Sequence, residues 1–206
     1  MKYSFLTNKS FYLLLLLFSV STYSQTNFIV DKKGNKTIIR DDNAEIILID
    51  KRISYTLVGK TWEKYIKFED LDYARIGNTT LKAFKLNNKK KPEIYYVFAE
   101  KKDKKLIGLS WTVTSTAYNI TLSRTFYQMH VIDNDDNIIE SVGFTSKIKD
   151  GEVDDRVKLA PMIRNHFSDC PKLLEILNQY DSPSENNLIS ITGFFYNPIF
   201  TKCDEN

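Results

Sequence analysis

One stretch of this chain, residues 157–179 (VKLAPMIRNHFSDCPKLLEILNQ), has helical periodicity, and it follows a long run of strand-like sequence. Its first stripe recurs at helical spacing and consists of Leu159, Met162, Ile163, His166 and Phe167. Pro171 disfavours helical geometry at Cys170, so the pattern predicts two short helices joined at that proline, at about residues 156–180. Because each helix has one apolar stripe, both must pack against another part of the chain.

The sequence before the helices supplies candidate strands. The clearest alternation of apolar and polar residues places four side chains on one face of a strand: Ile107, Leu109, Trp111 and Val113. This alternation predicts that Trp111 belongs to the core. The apolar parity then changes between residues 120 and 132, which predicts a β-bulge near Tyr127 or Gln128. After the helices, one last strand is predicted from Ile189, Ile191 and Phe195.

The order of these elements predicts the fold class. Many strands, then helices, then a strand favour an α+β domain: a predominantly antiparallel β-sheet or open barrel followed by two short helices and a final strand. A β-sandwich with a helical insertion is the alternative. No linker rich in Pro, Gly or Ser and no repeat divides the chain, so we expect residues 25–206 to form a single β-rich domain.

Residues 1–24 have the three parts of a secretory signal peptide. Lys2 and Lys9 precede an apolar run over residues 11–20, and Thr22 and Ser24 after it are small residues suited to cleavage. The run is short for a bilayer span, so a retained anchor is the less favoured alternative and no membrane span is expected after signal removal. The abundance of Lys, Asn, Ile and Tyr is typical of an AT-rich bacterial genome, and we therefore expect a periplasmic or extracellular protein.

Removal of the signal peptide changes the charge of the chain. The full sequence has 29 basic and 26 acidic residues, a net charge of +3, and the signal contains two lysines and no acid, so the mature chain carries 29 − 2 − 26 = +1. A nearly neutral chain is not expected to bind nucleic acid through general attraction.

The chain contains two cysteines, Cys170 and Cys203. In an exported protein, an even number of cysteines predicts a disulfide. The bond would tie the joint between the two helices to the C-terminal tail. It would stabilise the fold by about 3 kcal/mol in the chain-entropy description.

Asp133, Asp135 and Asn137 have the spacing that begins a calcium-binding loop. Ile138 stands where that loop needs glycine, and Phe144 stands where it needs a bidentate glutamate. Asp and Asn are also common in hairpin turns. We therefore favour a solvated turn over a calcium site, and no metal or other cofactor is expected.

A lysine-rich loop is the second candidate site. Lys101, Lys102, Lys104 and Lys105 flank Asp103 in what the sequence predicts is a hairpin tip. Such a patch can bind an anionic polysaccharide, lipid or protein partner. The favoured interpretation is an ordinary solvated loop whose charge discourages edge pairing, because no aromatic residue interrupts the lysines.

The remaining chemical signals are weak. His166 and Cys170 lie four residues apart, as a base and a thiol nucleophile can, but a disulfide at Cys170 would remove the thiol. Zinc, nucleotide and serine-hydrolase motifs are missing. Four tyrosines could face outward and form a sugar- or peptide-binding platform: Tyr95, Tyr118, Tyr127 and Tyr196. The favoured interpretation is that they are ordinary half-buried residues of the sheet.

Residues 166–173 (HFSDCPKL), together with the signal peptide, resemble the corresponding parts of uncharacterised exported proteins of Gram-negative bacteria. The resemblance implies a structural role for Cys170 at a helix junction. It implies no activity.

These observations lead to three hypotheses about function. The first is an exported, periplasmic or secreted, non-catalytic binding or envelope-associated protein. The second is a secreted hydrolase that uses carboxylates or Cys170. The third is a β-barrel carrier of an apolar ligand, which should contain a wide apolar cavity.

Overall fold

A computed structural model describes residues 27–40, 44–117, 120–146, 155–181, 187–196 and 198–203. The predicted signal peptide lies outside this part of the chain. The strands are β1 (Phe28–Asp31), β2 (Lys36–Ile38), β3 (Glu45–Ile47), β4 (Arg52–Thr56), β5 (Glu63–Lys67), β6 (Leu71–Ile76), β7 (Thr79–Phe84), β8 (Glu93–Lys101), β9 (Lys104–Ala117), β10 (Ile120–Asp133), β11 (Ile138–Thr145) and β12 (Thr201–Lys202). The helices are α1 (Leu159–His166), α2 (Pro171–Tyr180) and α3 (Asn187–Tyr196), with short 3₁₀ helices at Leu86–Asn88 and Asp155–Lys158.

The strands form two open sheets. The large sheet has the order β11-β10-β9-β8-β7-β6-β1-β2 and is antiparallel, and β12 adds to it in parallel beside β8, where Thr201 lies opposite Ala99. The small sheet has the order β3-β4-β5. The predicted α+β class with a mostly antiparallel sheet is therefore confirmed, whereas a closed barrel is not formed.

Two separate layers cover one face of the large sheet, the small sheet at one end and the helices at the other. The small sheet covers the end formed by β1, β6 and β7, and this cluster includes Ile29, Ile53, Phe68, Leu81 and Ile94. The helices cover the end formed by β9, β10 and β11, and this second cluster includes Phe98, Leu106, Met129, Leu159, Ile163, Phe167 and Leu173. Tyr96 on the central strand β8 packs against both clusters. The two layers are thus joined by one continuous sheet face.

The two predicted helices are present, and Pro171 is the first residue of α2. The last strand predicted around Ile189, Ile191 and Phe195 is wrong, because these residues belong to α3. The buried residues Ile191, Phe194 and Phe195 have helical spacing, and Phe194 stacks on Phe98 of the sheet with ring centroids 4.8 Å apart. The last strand among the described residues is instead the two-residue β12.

The bulge predicted near Tyr127 or Gln128 is also wrong. β10 pairs with β9 without a register shift over its whole length, from Ile120 opposite Ala117 to Asp133 opposite Lys104. Both faces of β10 are buried at its C-terminal end, so apolar residues occur there at odd positions and, with Ile132, at an even one. The odd positions meet the helices, and Ile132 packs on the opposite face in a third cluster with Phe84, Leu86, Tyr95, Val97 and Ile107.

Candidate functional site

A groove lies where the small sheet meets the start of β8. The turn between β3 and β4 (residues 48–51) forms one side of it, with Phe68 from the turn after β5. Neighbouring residues of β8, β9 and β10 form the other side. The groove encloses about 350 Å³ and is lined by Leu48, Ile49, Lys51, Phe68, Glu93, Ile94, Tyr95, Leu109, Trp111 and Gln128. It is open to solvent along one side, and Ile49 at its rim is 95% exposed.

The wall of the groove on β9 is apolar. Leu109 and Trp111 share one face of the strand, and Trp111 stacks on Phe126 of β10 with ring centroids 5.4 Å apart and planes 12° apart. Trp111 is only half-buried, so the prediction that it belongs to the core is wrong. Its face of the sheet is covered by neither the helices nor the body of the small sheet. An apolar ring or chain can therefore pack against it.

Another part of the groove lining is polar and centres on Glu93. The Glu93 carboxylate accepts hydrogen bonds from Lys89 Nζ at 3.2 Å and from the Tyr95 hydroxyl at 3.1 Å, and Lys51 Nζ lies 4.0 Å away. Burial raises the pKa of Glu93, but these hydrogen bonds and positive charges outweigh it and leave that pKa below its ordinary value. Glu93 is therefore anionic at neutral pH.

Tyr95 is held in its neutral form. Burial raises the pKa of its hydroxyl, and the adjacent Glu93 charge and the hydrogen bond to Glu93 raise it further. The hydroxyl is thus a hydrogen-bond donor committed to Glu93. It is not available as a general base at neutral pH.

His130 lies behind the groove, against Tyr95. The two rings meet edge to face with centroids 5.8 Å apart, and His130 is 3% exposed. Its Nδ1 atom has no hydrogen-bond partner among the described residues. Burial lowers the pKa of His130 to about 4, the positive charge of Lys89 adds to this effect, and Glu93 partly opposes it. The ring is therefore a neutral packing element at pH 7 and does not line the groove.

This burial predicts a pH-dependent stability. Since the pKa of His130 falls from 6.5 to about 4 on folding, the unfolded chain binds the proton more readily, and stability falls as the pH drops from 6.5 toward 4. We expect the His130 contribution to cost about 1–2 kcal/mol between pH 6.5 and pH 5. Urea unfolding at both pH values should show a smaller loss in His130→Leu than in the parent protein. Equal losses in the two proteins would contradict the assignment.

The residues that line the groove belong to few chemical types. They include no serine, threonine, cysteine or histidine, and Glu93 is their only carboxylate. Glycoside hydrolysis needs two carboxyl groups, and a nucleophilic mechanism needs an activated nucleophile beside a base. A neighbouring groove of about 270 Å³ shares Ile49, Lys51 and Phe68 and adds two acids, but Asp50 is paired with Arg52 at 3.1 Å and Glu69 with Lys67 at 3.5 Å.

Three of the four lysines in the predicted anionic-partner patch are paired with acids and largely covered. Lys101 Nζ lies 3.0 Å from both carboxylate oxygens of Asp169 and above the Phe167 ring. Lys104 pairs with Asp103 at 3.4 Å, and Lys105 pairs with Glu100 at 3.9 Å. Lys102 is exposed. An anionic partner at this patch remains a prediction, with most of its positive charge already neutralised.

The calcium candidate forms a hairpin turn. The Asp133 carboxylate accepts hydrogen bonds from the backbone N–H groups of Asp135 and Asn137 and from the Asn137 side chain, at 2.8–3.0 Å. Asp31 makes the same three contacts with Lys33 and Asn35 in the β1–β2 turn. These hydrogen bonds, chiefly from the asparagine, lower the pKa of Asp31 and of Asp133.

The recurrence of this arrangement in two turns indicates local backbone geometry as its cause. Within the described residues, no group of three or more His, Cys, Asp or Glu side chains is placed to hold a metal ion.

The other candidate residues have structural positions. Cys170 and Cys203 lie at disulfide distance, with Cα atoms 5.0 Å apart, so Cys170 has no free thiol for a nucleophilic role. His166 Nε2 instead lies 2.7 Å from the Glu140 carboxylate. Tyr95 and Tyr127 are buried, as the favoured interpretation of the tyrosines predicted, and Tyr118 lies outside the described residues. Tyr196 is exposed and shares a hydrogen bond with Tyr127.

Sequence reasoning missed the groove because its residues come from distant segments. Lys51 and Glu93 are 42 positions apart, and neither belongs to a recognisable motif. The one signal in the sequence was the alternation that includes Leu109 and Trp111, which was interpreted as core.

Comparisons with known protein families, with curated proteins and with solved structures find no match to this chain. Among the described residues, no helix has the length and apolar character needed to cross a membrane.

Proposed function

We propose that this chain is an exported, non-catalytic binding protein whose groove holds a small amphipathic ligand. The observation that carries the proposal is the groove itself, whose lining combines the apolar side chains of Leu109 and Trp111 with the charged side chains of Lys51 and Glu93. Ligand sites typically combine a largely apolar concavity with a few convergent polar groups, and about 350 Å³ lies at the lower end of their usual volume.

The apolar and the charged parts of the groove lining define the chemistry of the ligand. Its apolar part, a ring or a short chain, packs on Trp111. Its polar end lies beside Lys51, whose ammonium group is 4.0 Å from Glu93 and keeps donors for a carboxylate, sulfonate or carbonyl oxygen. A ligand with one anionic group therefore fits better than a fully apolar one.

Export is supported by the signal-peptide pattern in residues 1–24 and by the cysteine pair, because disulfides persist in oxidising compartments. Carbohydrate hydrolysis is a weaker candidate, since Glu93 is the only carboxylate that lines the groove. An enclosed carrier is also weaker, since the sheets are open and the groove is accessible from solvent.

The binding test uses the mature protein and anilinonaphthalene sulfonate, a fluorescent probe with an apolar ring system and one anionic group. In the Trp62→Phe background Trp111 is the only tryptophan, and we expect the probe to quench it on binding. Trp111→Ala removes the apolar wall and should weaken binding, measured by probe emission, at least tenfold, which corresponds to about 1.4 kcal/mol. Lys51→Met should weaken it to a smaller extent.

Val58→Ala is the matched control, because Val58 is exposed and does not line the groove. Near-ultraviolet circular dichroism should confirm that each variant keeps its native packing. The proposal fails if the probe does not bind, or if Trp111→Ala and Val58→Ala bind it equally well.

A further inference from the structure

β9 and β10 extend beyond the strands on either side of them. The last pair between β8 and β9 is Tyr96 opposite Gly108, and β8 begins at Glu93, three residues earlier. Continuing that register places the start of β8 opposite Trp111. Residues 112–117 of β9 therefore have no strand beside them on the β8 side within the described chain. On the other side, β11 ends at Thr145, opposite Phe126.

Residues 112–117 of β9 and 120–125 of β10 pair with each other and form a two-stranded ribbon. The two faces of this ribbon differ. Three cross-strand hydroxyl pairs, at 2.9–3.2 Å, hold one face together: Thr112–Thr125, Thr114–Ser123 and Thr116–Thr121. The other face carries two exposed apolar residues, Val113, which is 51% exposed, and Leu122, which is 59% exposed, and Arg124 lies opposite Val113 on it. A two-stranded ribbon is marginally stable in water on its own, so a further strand paired with its free edge would stabilise it.

The free edge of β9 also lacks charge. Residues 106–123 contain no Asp, Glu, Lys or Arg, although charged residues make up 27% of the chain. Every other edge strand described carries at least one such residue, including Lys36 on β2, Glu45 on β3, Glu63 on β5 and Glu140 on β11. Charges, prolines and bulges are the usual means by which proteins prevent edge-to-edge pairing, and residues 112–117 have none of them.

We propose that residues 112–117 pair antiparallel with the same segment of a second copy of this chain, about a two-fold axis, and so continue the large sheet across a homodimer. Self-pairing brings identical side chains together, and an uncharged edge can do this without repulsion. The same lack of charge leaves nothing on this edge to select an acidic or a basic partner. A two-fold axis also closes the assembly at two copies.

The size of the contact sets its strength. Six residues of β-strand are about 20 Å long, and an interface of this length buries less than the roughly 1,200 Å² of a standard stable complex. The dimer is therefore reversible and dissociates on dilution, with a dissociation constant in the micromolar range.

The test is sedimentation velocity of the mature protein over about 1–100 µM, a range that spans such an equilibrium. We expect monomer at the low end and dimer at the high end. Ser115→Lys places like charges near the two-fold axis and should raise the dissociation constant at least tenfold. Val58→Lys introduces the same charge at an exposed position in the turn between β4 and β5 and should leave the equilibrium unchanged.

A pair of variants with opposite charges tests whether the loss of the dimer is caused by charge repulsion and not by another effect of the substitution. Ser115→Lys and Ser115→Glu should each dimerise at least tenfold more weakly than the parent when alone and should form a mixed dimer when combined, since the charges then attract across the axis. The proposal is overturned if the parent protein stays monomeric up to the highest concentration, if it forms species larger than a dimer, or if the Ser115→Lys variant dimerises as the parent does.

Discussion

Replacing Phe98 by alanine is expected to lower the free energy of unfolding by about 3–5 kcal/mol, the usual cost of deleting a buried phenylalanine ring. Phe98 is fully buried on β8. Its ring stacks on Phe194 and meets Phe195 edge to face with centroids 5.8 Å apart. The substitution therefore removes the contact between the centre of the large sheet and α3, and leaves a cavity where the two layers meet. Urea unfolding of the mature protein measures the loss.

Phe98→Leu and Leu122→Ala serve as graded and matched controls. Phe98→Leu keeps most of the buried volume, so its loss should be smaller than that of Phe98→Ala. Leu122 is exposed on the ribbon, so truncating it should change stability by about 0.5 kcal/mol or less. If Phe98→Ala lost no more stability than Leu122→Ala, α3 would not be packed on β8 as described.

The segment that forms α3 shows why its type was mispredicted. Residues 187–196 (NLISITGFFY) are apolar at most positions, so period-2 and period-3.6 patterns can both be found in them. The prediction chose Ile189, Ile191 and Phe195, which fit a strand. The structure instead buries Ile191, Phe194 and Phe195. The deciding factor is the aromatic pocket on the large sheet around Phe98, which is a tertiary feature that no local pattern contains.

A similar limit applies to β9 and β10. The alternation along β9 correctly predicted a strand, but it could not say where along the strand the covering layer ends. Leu106 and Ile107 are fully buried, whereas Val113 on the same strand is exposed. The change of parity in β10 likewise has a tertiary cause, because Met129 faces the helices and Ile132 faces the opposite cluster. Periodicity reports local amphipathicity and carries no information about what covers each face.

The predictions that rested on local chemistry fared better than those that required distant segments to meet. The two helices and the proline joint between them follow from spacing alone. The Asp133 turn follows from the hydrogen-bonding preferences of Asp and Asn. The polar part of the groove lining, in contrast, depends on the approach of Lys51, in the turn between β3 and β4, to Glu93 on the large sheet. The pairing of Lys101 with Asp169 likewise brings together residues 68 positions apart.

Removing the cross-link between Cys170 and Cys203 is expected to lower the free energy of unfolding by about 3–4 kcal/mol. The two cysteines are 33 residues apart, and closing a loop of that length restricts the unfolded chain by about this amount in the chain-entropy description. The local structure adds to the effect. β12 has only two residues, and beyond it Cys203 donates a backbone hydrogen bond to Glu100 at 2.9 Å. Without the cross-link, this short strand has little to hold it beside β8.

The measurement compares the parent protein with the Cys170→Ala/Cys203→Ala variant, with and without reductant. Reductant should destabilise the parent protein and leave the variant unchanged, because the variant has no bond to reduce. The intact mass of the same parent sample should correspond to a chain that starts near Gln25. Treatment with an alkylating reagent should add no mass unless the protein is first reduced. Rapid alkylation of Cys170 without reduction, or equal stability of parent and variant, would mean that the cysteines do not constrain the fold. The joint between α1 and α2 would then depend on the burial of Phe167 and Leu173 and on the Lys101–Asp169 ion pair alone.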